Sequence, residues 1–132
     1  MADVFRLSPD GPHDDDYTCQ VATALAETVR VLNHATRSQT GVAFPSTIHS
    51  VLSCSSSAVA GLDQLLSQIT ETLQRMLASG QLGDDRGIPH KPVDSALTEL
   101  TAARQMARTL TIRLDRACNA TAGLHLTAGW EG

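Results

Sequence analysis

Residues 48–76 read IHSVLSCSSSAVAGLDQLLSQITETLQRM, and the apolar positions in this stretch decide the fold. Ile48, Leu52, Val59, Leu62, Leu66, Ile69, Leu73 and Met76 recur at alternating steps of four and three, with Ser55 filling the single gap in the series. Steps that average 3.5 residues keep side chains on one side of a helix and suit a coiled-coil-like seam with a neighbour. Ser53, Cys54, Ser55, Ser56 and Ser57 read locally as a linker. A linker resets the hydrophobic phase, whereas here the stripe keeps its phase on both sides. One helix is therefore predicted from about Ser46 to Ser79, opened by Pro45, whose missing amide hydrogen is not needed at the first helical position. A bend is expected at the serines, where hydroxyls bond back to carbonyls.

Upstream, Asp14, Asp15 and Asp16 supply a capping carboxylate and favourable charge at the start of a first helix. Its apolar face is Val21, Leu25, Val29 and Leu32, and it runs to about Arg37. Downstream, Gly80, Gly83, Gly87, Pro89 and Pro92 punctuate the longest loop. The last helix is predicted to be capped by Asp94 or Ser95, to present Ala96, Leu100, Ala103, Ala107, Leu110, Leu114 and Ala117, and to stop at Gly123. The expected domain is an all-α, elongated up-down-up bundle of three long helices over residues 14–123. Residues 1–13 form an irregular tail and residues 124–132 a second one.

At 1.5 Å per residue the three helices would be roughly 36, 51 and 44 Å long. The first is too short to cover the second. Leu97 and Ile112 fall off the predicted seam of the last helix, and the outer side of residues 46–79 is nearly neutral. Those features predict self-association, most simply a homodimer. Leu97 and Ile112, with Trp130 as an anchor in the tail, are the expected contact residues for a partner.

Composition narrows the function classes. The 132 residues carry ten basic and fourteen acidic side chains, a formal net charge of −4, which offers no general attraction to a phosphate backbone. Phe5, Phe44, Tyr17 and Trp130 are the only aromatics, too few for a base-stacking platform. Cys19, Cys54 and Cys118 leave one over after any pairing and form no C-x-x-C unit, so reduced, buried thiols are expected. No apolar run has the length of a signal peptide core or a membrane span, and a cytoplasmic protein is expected.

Catalytic and ligand motifs are sparse. His13, His34, His49, His90 and His125 show no zinc-ligand spacing to one another or to cysteine. Capping accounts for Asp14 to Asp16 better than a cation site does, and Asp84 and Asp85 lack the alternating ligands of a calcium loop. No G-x-S-x-G elbow or phosphate-binding glycine loop occurs. No cofactor, metal or catalytic residue is predicted. Arg104, Arg108, Arg113 and Arg116 concentrate positive charge on the last helix, but Asp94, Glu99 and Asp115 offset most of it.

The segments Leu25 to Thr36, Pro45-Ser46-Thr47, Leu65 to Ile69 and Ala78 to Leu82 resemble a group of small actinobacterial proteins with no assigned activity. The resemblance implies an all-helical protein of a bacterial cytoplasm and carries over no functional residue. Arginine outnumbers lysine nine to one, in keeping with a GC-rich genome. The helical-hairpin secretion substrates with a W-x-G turn fit less well, because Trp130 lies in the tail. The expected function is noncatalytic: a helical, self-associating protein that presents its surface to another protein. A small-molecule-binding regulatory bundle, with space near Ser55, is one alternative. The other is an accessory factor of a mobile genetic element that touches DNA through Arg104, Arg108 and Arg116.

Overall fold

The computed structural model of the chain describes residues 5–127, and among them every regular element is a helix. The fold is all-α, with α1 over Asp15–Ala35, α2 over Pro45–Ala78 and α3 over His90–Thr121. Two compact units divide the chain between Ala43 and Phe44.

In the first unit, the Asp14 carboxylate accepts the Tyr17 amide at 2.7 Å, the cap expected from the aspartate run. The Tyr17 hydroxyl donates to the Arg6 carbonyl and accepts the Ser8 amide at 2.9 Å, holding the incoming segment against the first turn. Phe5 packs on the same ring with centroids 5.7 Å apart. No residue of α1 is buried, and Leu25, Val29 and Leu32 stand exposed. After α1 the chain turns back so tightly that a Cβ at Gly41 would lie 2.1 Å from the Ala35 carbonyl oxygen. A backbone atom cannot swing aside as a side-chain tip can. Gly41→Ala is therefore expected to fray the end of α1 and lower stability by about 1–3 kcal/mol, read as loss of amide-exchange protection around residues 32–36.

The second unit is a helical hairpin. α2 is continuous through its serines, within one residue of the predicted bounds at each end, with Pro45 at its first position. It ends on Gly80, whose φ of 75° is the left-handed conformation that glycine adopts without Cβ strain. α3 begins earlier than predicted, its first amide bond running from Val93 to the Pro89 carbonyl at 3.3 Å. Pro92 lies within the first turn, where an amide hydrogen has no intrahelical partner to lose. Its stop also differs, because Ala122 caps it in right-handed geometry and Gly123 is not left-handed.

The helices run antiparallel, since His49 bonds to Cys118 and Thr121, Ser56 to Asp115, and Asp63 to Arg104 and Arg108. The covered residues of α2 are His49, Leu52, Ser56, Val59, Asp63, Leu66, Thr70, Leu73 and Leu77, a run of heptad steps. On α3 they are Val93, Leu97, Leu100, Arg104, Ala107, Thr111, Leu114 and Cys118, again at heptad steps. Both helices are thus rotated by one residue from the seams predicted above. Leu52, Val59, Leu66 and Leu73 face α3 as expected, whereas Ile48, Leu62, Ile69 and Met76 stand beside the contact line rather than in it. On α3 the corrected line replaces Ala96, Ala103, Leu110 and Ala117 with Leu97, Arg104, Thr111 and Cys118.

Candidate interaction surface

Turning the seam by one residue gives the hairpin two unlike broad faces. Equivalent sides of antiparallel helices meet on the same face of the pair. Arg108 and Asp115, each one turn beyond the contact line of α3, bond to Asp63 and Ser56 and mark the polar face. The positions just before each contact residue belong to the opposite face. On α2 these are Ile48, Leu62, Ile69 and Met76, and on α3 Ala103 and Leu110, with Leu65 and Met106 farther out.

Polar groups hold the contact line in place. The Asp63 carboxylate accepts from Arg104 Nε at 2.7 Å and from Arg108 Nε at 3.0 Å. Arg104 first, and then Arg108, hold the Asp63 carboxyl below the usual carboxylate range. Ser56 is buried and donates to the Asp115 carboxylate. His49 Nδ1 donates to the Cys118 carbonyl at 3.0 Å, which fixes the tautomer of the ring. The Cys118 thiol lies 3.5 Å from the same nitrogen and also reaches the His49 carbonyl at 3.7 Å. Imidazole and thiol are both engaged with helix backbone, so this closest approach of a base and a nucleophile joins two helices at the end of the hairpin.

Hydrophobic cover is incomplete. Among the described residues only Val93, Cys118 and Ser56 are buried, and no side chain is fully enclosed. On the apolar face Leu65 is 43% exposed, Ile69 39% and Met106 72%. Full burial of one such side chain is worth about 1.5–3 kcal/mol, so each of these forgoes on the order of 1 kcal/mol in water. Met106 and Leu110, with Ala102, Gln105, Thr109 and Arg113, border a shallow depression of about 510 Å³ on α3.

The structure relocates the residues expected to meet a partner. Leu97 is half-buried on the line of α3 that faces α2. Its apparent displacement from the seam followed from the one-residue error in phase. Ile112 is 51% exposed, one turn from Arg108 and Asp115 and so on the polar face. Trp130 lies outside the described residues. Met106 and Leu65 were missed, although methionine and leucine at positions that the predicted seam left outside were the available signal. Cys118 alone of the cysteines is buried, while Cys19 and Cys54 are exposed, contrary to the core role expected for all three.

Among the described residues no three His, Cys, Asp or Glu side chains gather where an ion could be held. No described helix is long and apolar enough to cross a membrane. In comparisons with known proteins, no family model, curated protein or solved structure matches the chain.

Proposed function

We propose that this chain is a noncatalytic helical protein that works by binding protein surfaces, its own included, through the apolar face of the α2–α3 hairpin, in the cytoplasm of a bacterium. One observation carries the reading: leucine, isoleucine and methionine line up along a face that their own hairpin leaves uncovered. A soluble chain exposes scattered apolar residues at little cost, but an ordered row of them is the common mark of a contact surface.

The depression beside Met106 is open and has few polar groups to orient a ligand, whereas small-molecule sites enclose most of their ligand's surface. Arg104 and Arg108, two of the three arginines that a DNA-touching role would use, are engaged with Asp63. These features place protein recognition ahead of both alternatives.

Leu65→Glu combined with Ile69→Glu tests the face. The wild-type chain is expected to sediment as more than one copy, and the double variant as a single copy with unchanged helix content. A variant that keeps the wild-type mass would remove this face from the contact. Specific thermal stabilisation of the wild type by a metabolite, absent for every protein partner tried, would favour the pocket reading instead.

A further inference from the structure

We infer that the occupant of the apolar face is a second copy of the chain, stacked antiparallel, helix α3 on helix α3, about a two-fold axis beside Met106. This rests on the protein-recognition reading and gives it a partner and an orientation. A two-fold interface must be complementary to itself, residue by residue, which a surface made for an unrelated partner need not be.

The face meets that condition in three ways. Met106, the most exposed large apolar side chain among the described residues, lies near the middle of α3. The pairing of Asp63 with Arg104 and Arg108 sets it level with Leu62 and Leu65, near the middle of α2. The side chains are also balanced about that level. Ile48 and Met76 are two heptads either side of Leu62, and on α3 an antiparallel copy would set small Ala103 against large Leu110.

Charge supplies the third. Glu99 and Arg113 lie one heptad either side of Met106 on the same side of α3, with opposite signs. An antiparallel two-fold brings Glu99 of each copy to Arg113 of the other, so the contact forms twice. A parallel arrangement would leave both without a partner. The size also fits: a face roughly 48 Å long and about 18 Å wide offers on the order of 850 Å², close to the about 800 Å² per partner of stable complexes.

Sedimentation equilibrium at low salt on the full chain tests the inference. Glu99→Arg and Arg113→Glu should each weaken dimerisation roughly tenfold, because every reversal acts twice. The double variant E99R/R113E should dimerise like the wild type. Mixing the two single variants should restore a dimer, one chain then contributing both cations and the other both anions. Rescue in both formats supports the antiparallel copy. Failure of either rescue overturns it, as does a wild-type dimer indifferent to the reversals but dissolved by L65E/I69E, which would leave the protein-recognition reading intact. A wild-type chain that stays single up to about 100 μM overturns self-pairing while leaving a different protein as the partner of the face. A dimer indifferent to all of these changes removes the apolar face itself and the reading with it.

Discussion

Leu66→Ala is expected to cost the hairpin about 2 kcal/mol and to lower its melting temperature by about 10 °C, while Leu65→Ala stays within about 0.5 kcal/mol of the wild type. The two leucines are adjacent and alike in composition, so chain hydrophobicity does not separate them. Position on the helix does. Leu66 is half-buried in the line that meets α3, and its truncation removes burial and leaves space that neighbours only partly fill. Leu65 is 43% exposed, and much of its side chain already touches water. Thermal melts followed by circular dichroism, at concentrations low enough to keep single copies, provide the comparison. Equal losses at both positions would refute the one-residue rotation of the seam. The predicted seam also included Leu66, but it made Leu62 and Ile69 its core neighbours. Their alanine variants should resemble Leu65→Ala more than Leu66→Ala.

Charge reversal at Asp63 is the second large effect. Asp63→Arg sets a third guanidinium against Arg104 and Arg108, replacing two attractions by two repulsions at a side chain only 22% exposed. The melting temperature should fall by about 5–10 °C at low salt, with partial recovery in 1 M salt, where the screening length shrinks to about 3 Å. Acid gives an independent measure. Arg104 and then Arg108 depress the folded-state pKa of Asp63 below its unfolded value. The stabilisation is therefore complete above about pH 4 and is lost as pH falls through the depressed folded value. Asp63→Asn should flatten that part of the acid-unfolding curve, as followed by helix signal below about pH 4. An unchanged acid limb would mean that the ion pairs add nothing to the hairpin.

Much of the fold was legible because its strongest signals are local. The phase of the apolar stripe across Ser53 to Ser57 predicted a single α2, and Asp14 and Pro45 marked helix starts by chemistry that operates within one turn. The rotation of the seam was harder to read. Leu52, Val59, Leu66 and Leu73 belong to both possible lines, and hydrophobicity alone chooses Ile48 and Ile69 over His49 and Thr70 as their companions. The structure chooses the polar set because α3 carries matching groups at the same levels: Asp115 for Ser56, and Arg104 and Arg108 for Asp63. Those matches lie more than forty residues apart in sequence, with separations of 59, 41 and 45. No window of ordinary length contains them. The same error hid the interaction surface, since residues assigned to the core could not also be counted as uncovered. Leu97 moved inward and Met106 gained importance for one reason, a turn of the helix by a single position.

The spacing of the polar pairs has a consequence for alignment. Sliding α3 past α2 by one heptad, about 10 Å, keeps leucine against leucine and would cost an all-apolar hairpin little. Here a slip in one direction sets Asp63 against Asp115, carboxylate to carboxylate. In the other it leaves Asp63 beside Leu97 and Thr101 while both guanidiniums face Ser56. Only one setting satisfies every charge, so the ladder works as a vernier scale that reads true at a single mark.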